Sequence, residues 1–276
     1  MDHQATPGSR SRLRLGDRKL TFGGVTHIVA VVNVSPESKN RHSVAGSVSE
    51  ARSMAHRHLD VGASIIDVGG QSSHPDATTL SVGDELARLL PVVAALVQDG
   101  VVVSVDTWKP EVARACLAEG AVLVNDTGGM ADPEMRSTVS EAGAAAVVMY
   151  IEAAHPHAVE DVVIADDKAA VTARWLEGRL AELAIEGIED VIVDPGIAIN
   201  YGGDYEAYTR MQLEIIRSID AVTRLGRPVM IPIPRKREEH RVAAYIAMAL
   251  EFGADLIRVH DVEMASDLRA LFDREP

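Results

Sequence analysis

The strongest constraint on the fold is a pattern that repeats along the chain: a short run of β-branched or aliphatic residues ends abruptly on a polar side chain. Val191-Ile192-Val193 runs into Asp194, and Pro195-Gly196 then end the run. Ile65-Ile66 leads to Asp67, residues 101–105 to Asp106, residues 122–124 to Asn125, and Leu256-Ile257 to Arg258. A strand that is apolar on both faces belongs in a parallel sheet covered by helices. When such strands alternate with helical stretches, their polar ends gather on one rim. The pattern predicts a single (β/α)₈ TIM barrel whose strand ends converge on one ligand.

The chain in order supplies the eight units. Residues 12–24 read as a β-hairpin around Gly16-Asp17 that could plug the N-terminal mouth, following a tail (1–11) predicted to be disordered. The strands are read at 27–34, 64–68, 101–106, 122–125, 145–150, 191–194, 229–233 and 256–259. The helices are read at 47–61, 84–98, after Pro110, at 133–142, 159–185, 205–225 and 237–252, with a last one ending near Phe272. Ser47 and Glu50 have the spacing of a capping box, and Gly62 is placed to stop that helix. No linker interrupts the series, so residues 12–276 are expected to form one domain. The competing architecture is an open doubly wound sheet, but its G-x-G-x-x-G fingerprint is missing after the first strand.

At 276 residues with 47% hydrophobic content, the chain is long enough for such a barrel, which commonly needs about 250 residues. With 27 basic and 41 acidic residues the net charge is −14, which argues against nucleic-acid and anionic-membrane partners. A lone cysteine, Cys116, excludes an internal disulfide and a multi-cysteine zinc site, and suits a reducing cytoplasm. Residues 1–15 are polar and predict no signal peptide, and no apolar run approaches the roughly 20 residues of a membrane span.

The strand ends collect Asn33, Asp67, Asp106, Asn125, Asp194, Lys236, Arg258 and His260. Each has a plain alternative. A lone Asp such as Asp67 or Asp126 often caps a helix, Lys236 could open a solvated helix, and Arg258 with His260 could form a structural ion-pair site. Taken together, two carboxylates and an amide from different strands suit a flat heterocycle rich in N–H donors. Arg258, His260 and Asn33 could grip an anionic leaving group. His155 and His157, flanking Pro156, are a weaker candidate for a metal site, and Trp108 reads as packing or a rim contact.

Asn33-Val34-Ser35-Pro36-Glu37, Asp67-Val68-Gly69-Gly70-Gln71-Ser72, Val105-Asp106-Thr107, Asn125-Asp126, Asp194-Pro195-Gly196, Arg235-Lys236 and Arg258-Val259-His260-Asp261 together resemble the dihydropteroate synthase family. They follow that family's order over nearly the whole chain. The resemblance implies a dimeric barrel that condenses 6-hydroxymethyl-7,8-dihydropterin diphosphate with p-aminobenzoate in folate synthesis. Asp106, Asn125, Asp194 and Lys236 would hold the pterin. Asn33, His74, Arg258 and His260 would face the diphosphate, with Mg²⁺ at Asn33. Asn33, Lys236, Arg258 and His260 would carry the catalytic work.

The departures fall on the second-substrate side. Lys39 stands where the family has a phenylalanine, and Ser72-Ser73-His74-Pro75-Asp76 where it has Ser-Thr-Arg-Pro-Gly. Pro234 replaces a serine that would meet the aminobenzoate carboxylate, and Ala198-Ile199-Asn200-Tyr201 replaces Gly-Phe-Gly-Lys. Lys39, Ser73, Pro75 and Pro234 therefore mark an altered aminobenzoate pocket, weakened or insensitive to sulfonamides. Two further readings use the same pterin grip: a paralogue with a different nucleophile, and a pterin-binding protein without turnover. A methyltetrahydrofolate methyltransferase is disfavoured because Lys236 and Arg258-Val259-His260 are kept.

Overall fold

A computed structural model describes residues 12–35, 43–74, 77–159, 167–199, 205–234, 236 and 238–272. The expected tail, Lys39 and Pro75 lie outside the described residues. The architecture is the expected barrel. Strands β3 (His27–Asn33), β4 (Ala63–Gly69), β5 (Val103–Asp106), β6 (Leu123–Asp126), β7 (Ala145–Met149), β8 (Val191–Asp194), β9 (Met230–Pro232) and β10 (Leu256–Val259) form one sheet in the order β8-β7-β6-β5-β4-β3-β10-β9. Every pairing is parallel. A bridge between Val193 and Val229 joins the two ends, with Val193 N donating to Pro228 O at 2.9 Å. The helices are α1 (Val48–Asp60), α2 (Val82–Gln98), α3 (Pro110–Ala118), α4 (Pro133–Ala142), α5 (Lys168–Ile185), α6 (Tyr205–Arg217), α7 (Asp220–Thr223), α8 (Glu239–Glu251) and α9 (Val262–Phe272).

Alternation along each strand separates two cores. Ile28, Ala30, Ile66, Val68, Val103, Val105, Val124, Val148, Val191, Val193, Ile231 and Ile257 pack in the large core with the helices. Their neighbours Val29, Ile65, Leu123, Val147, Ile192, Met230 and Leu256 form a second core inside the barrel. The hairpin of β1 (Arg12–Leu15) and β2 (Arg18–Thr21) closes that inner core from below. Leu13 and Leu15, fully buried, enter it, and Arg14 anchors the hairpin from outside by pairing with Asp190. Leu13→Ala should therefore lower stability by about 3 kcal/mol, the usual cost of a buried leucine cavity. Equilibrium urea unfolding reads this directly; a loss under about 1 kcal/mol would mean that the plug adds little.

Local signals explain the helix boundaries. Ser47 Oγ accepts from Glu50 N, while Glu50 Oε2 accepts from Gly46 N at 2.7 Å, one residue before the partner of a standard capping box. The helix expected over 159–185 starts later: Pro156–Ala158 makes a single 3₁₀ turn, and Asp167 caps α5 by accepting from Ala170 N. The helix expected over 205–225 is broken, because Ile219, Ala221 and Val222 donate three residues back, to Ile216, Ser218 and Ile219. Periodicity alone did not show that tightening.

Candidate active site

Above the inner apolar layer, the inward positions turn polar at the C-terminal ends of the strands. Asp67 on β4 is completely buried and collects three donors: Ser104 Oγ at 2.6 Å, Asn125 Nδ2 at 3.0 Å and Arg258 Nε at 2.6 Å. A second nitrogen of Arg258 donates to Asp106 Oδ2 at 2.6 Å. One guanidinium from β10 thus bridges carboxylates from β4 and β5. Burial opposes its charge, but Asp67 and Asp106 outweigh burial and hold its pKa above the ordinary arginine value.

The other acids are desolvated. Burial pushes Asp106 up to about 7 against the pull of Arg258, with Asp67 adding to the rise. Burial likewise raises Asp194 to about 7, opposed by the Gly196 N–H and by Arg258. Gly196 N donates to Asp194 Oδ1 at 2.7 Å, which aims the carboxylate from the end of β8. Gly196 has φ +72°, and a Cβ there would lie 2.0 Å from Tyr150 O, so no larger residue fits this turn. Gly69 matters for a different reason: a Cβ would sit 3.1 Å from Asn33 Oδ1 and 3.7 Å from Asp106 Cβ. Its bare backbone lets β3 and β5 side chains approach each other across β4.

Two further groups flank this network. Asn33 Nδ2 donates to Ser43 Oγ at 3.0 Å, and Ser43 Oγ is 2.8 Å from His260 Nδ1. This chain joins the first and last barrel strands through Ser43, which carried no sequence signal of its own. Lys236 belongs to a separate cluster. Its Nζ donates to Gln212 Oε1 at 3.0 Å and lies 4.9 and 4.8 Å from the ring centres of Tyr205 and Tyr245. Tyr245 OH donates to the same Gln212 oxygen at 2.7 Å, and Gln212 Nε2 donates to Ile197 O. Burial lowers the Lys236 pKa. Pro234 is buried just past the end of β9, with no N–H to offer.

The rim loop after β4 is gripped at its stem. Lys109 Nζ donates to Gln71 Oε1 and Leu80 O, both at 2.8 Å, and pairs with buried Glu85 at 2.5 Å. His157 bridges Ser72 O and Thr79 Oγ1, each at 2.8 Å. Trp108 stacks on His155 with centroids 5.9 Å apart, and His157 meets the same indole edge-on. These contacts give His155 a packing role and His157 a tethering one. Among the described residues, no group of three or more His, Cys, Asp or Glu gathers as a metal site. In the same loop, exposed Ser73 precedes half-buried His74, whose backbone N donates to Ser72 Oγ.

The structure therefore brings Asp67, Asp106, Asn125 and Arg258 into one network, with Asp194 close enough to be felt by the guanidinium. It places Asn33 and His260 beside that network and Lys236 in its own cluster. Such a mouth offers carboxylate and amide oxygens to a flat ring and cationic or N–H groups to an anion. The sequence profile of the family described as "Pterin binding enzyme" matches residues 29–260. The dihydropteroate synthase of Escherichia coli K12 is 31% identical, over 86% of this chain and 87% of that protein. A probable bifunctional folylpolyglutamate synthase/dihydropteroate synthase of Halobacterium salinarum is 35% identical over 94% of this chain, which spans only 32% of that longer protein. Among solved structures, dihydropteroate synthase from Thermus thermophilus in complex with 4-aminobenzoate superposes with a TM-score of 0.80 at 30% identity, covering 95% of this chain and 98% of that one. The pterin-family match across the barrel and the likeness to full-length synthases agree with the acid-and-amide mouth: this chain belongs to the dihydropteroate synthase family of pterin binding enzymes.

Proposed function

We propose that this protein is a transferase that joins 6-hydroxymethyl-7,8-dihydropterin diphosphate to p-aminobenzoate and releases diphosphate. The observation that carries the reading is the gathering of Asp106 and Asn125 around the Arg258–Asp67 pair, with Asp194 near enough to feel the guanidinium's charge, an arrangement complementary to the N–H-rich edge of a pterin. The carbon–oxygen bond between the pterin methylene and the diphosphate breaks, the arylamine nitrogen bonds to that methylene, and the amine gives up one proton to solvent. A neutral arylamine is already a competent nucleophile, so the site needs no nucleophile–base pair. The residues contribute positioning of two flat partners and charge stabilisation at the departing group. In this reading Lys236 also contacts the pterin, while His260, Asn33, His74 and Arg258 face the diphosphate.

Mg²⁺ fits this site only together with the diphosphate. The described residues offer no carboxylate cage, while Asn33, with its Nδ2 spent on Ser43, keeps Oδ1 as an oxygen ligand. When bound, the ion would neutralise charge on the leaving diphosphate. A homodimer in the cytoplasm completes the proposal. No described helix is long and apolar enough to cross a membrane, and sedimentation tests the dimer.

The direct experiment incubates purified protein with pterin diphosphate, Mg²⁺ and p-aminobenzoate, following diphosphate release and product mass. Formation of dihydropteroate supports the proposal. Release without coupling would instead favour a different nucleophile, the reading that buried Pro234 motivates by removing a hydrogen-bond donor from the acceptor side. Pro234→Ser should raise kcat/KM for p-aminobenzoate about tenfold, the worth of one restored hydrogen bond to a carboxylate. An unchanged value would relocate the carboxylate site.

A further inference from the structure

Asn125 can present either end of its amide to a ligand, and its neighbours decide which. Its Nδ2 donates to Asp67 Oδ2 at 3.0 Å. Asp67 takes two more donors, from Ser104 and Arg258, and is completely shielded from solvent. Three donors and no competing donor function on the carboxylate leave only one satisfactory arrangement: the amide nitrogen turns inward and Oδ1 turns away. Oδ1 has no protein partner among the described residues and is not among their buried unpartnered atoms, so it keeps a small contact with solvent. Asp106 Oδ1 and Asp194 Oδ2 are in the same position, because Arg258 and Gly196 engage only the other oxygen of each carboxylate. The ring site thus shows acceptors from three strands at once.

We propose that Asp67 is a positioning residue that sets the hydrogen-bond polarity of the ring site, locking Asn125 as an acceptor so that the site selects a 2-amino pterin over its 2-oxo (lumazine) counterpart. The proposal rests on the pterin reading above. A 2-oxo group would set one acceptor against another, and sites built to pair with an N–H reject analogues lacking it far more strongly than apolar pockets reject a missing methylene. Without Asp67, nothing holds the amide nitrogen inward. Asn125 is then free to turn over and donate to the oxo group. Asparagine at position 67 behaves differently: its Oδ1 still accepts from Asn125 and Arg258, while its own amide nitrogen turns to Ser104 Oγ.

Calorimetric titration with 6-hydroxymethyl-7,8-dihydropterin diphosphate and with its 2-oxo counterpart tests this on the intact protein. Wild type should prefer the 2-amino ring by about a hundredfold or more. Asp67→Ala should cut that preference at least tenfold, and Asp67→Asn should retain it while binding both rings more weakly. A purely structural Asp67 would weaken both ligands in parallel, so an Asp67→Ala preference equal to wild type overturns the proposal. Should the alanine variant not fold, side-chain amide exchange of Asn125 in wild type decides: protected Nδ2 protons support the lock, and exchange at the solvent rate overturns it. A wild type that binds neither ring contradicts the pterin reading itself. Pterin binding with an unchanged variant ratio contradicts only the role of Asp67.

Discussion

Arg258→Ala is expected to lower stability by about 3–5 kcal/mol, because it leaves two barrel carboxylates without the cation that separates them. Arg258 donates to Asp67 and Asp106 through different nitrogens, both at 2.6 Å. Asp67 is fully buried, and Asp106 is held down only by this arginine against burial and the neighbouring acid. With the guanidinium gone, Asp106 should rise above about 7 and carry a proton at neutral pH. A proton on Asp106 removes an acceptor from the ring site, so pterin diphosphate turnover should fall on the order of 10³-fold as well. Arg258→Lys should recover little, since a single ammonium cannot span the two acids as a planar fork does. Urea unfolding and single-turnover kinetics measure the two losses. Stability within about 1 kcal/mol of wild type would show that the acids do not depend on Arg258.

The second large effect is on pH. Asp106 and Asp194 have folded pKa values raised to about 7, both through burial. The unfolded chain releases those protons near pH 4, so the folded state holds protons the unfolded state has lost. The contribution of these groups to stability is therefore greatest below about pH 4, is lost as pH rises towards 7, and is constant above. Ligand binding runs the opposite way. Ring N–H donors favour the ionised carboxylates, so affinity for the pterin should climb about tenfold per ionising group between pH 6 and 8 and then level off. Binding at pH 6.5 should release protons, visible as a dependence of the calorimetric heat on the buffer's ionisation enthalpy. Asp194→Asn should flatten the profile. A wild-type affinity independent of pH over this range would mean that these carboxyls are already ionised or take no part.

Much of this arrangement is readable without coordinates, for a physical reason. Barrel strands buried on both faces are nearly pure aliphatic runs, so the polar residue ending each run stands out, as Asp106, Asn125, Asp194 and Arg258 do. Capping and turn residues such as Ser47 and Gly196 act within a few positions and are legible for the same reason. What stays hidden depends on partners far apart in the chain. Asp67 looks like any helix-capping acid until Asn125, 58 residues on, and Arg258, 191 residues on, are brought to it. Gln212, which receives both Lys236 and Tyr245, sits mid-helix among ordinary polar residues, and Ser43 has no pattern at all. The break after α6 depends on local hydrogen-bond spacing that hydrophobic periodicity does not encode. Conversely, the tethering of the β4 loop by Lys109 and His157 turns a suspected metal ligand into a clamp.

The central claim is that oxygens from separate barrel strands close around one nitrogen-rich ring. Isothermal titration of pterin diphosphate with Mg²⁺ into wild type, Asp106→Ala and Asp194→Ala tests it most directly. Each substitution should weaken binding on the order of a hundredfold, as expected for a charge-assisted hydrogen bond lost from a buried site. Affinities in both variants equal to that of wild type would contradict the account.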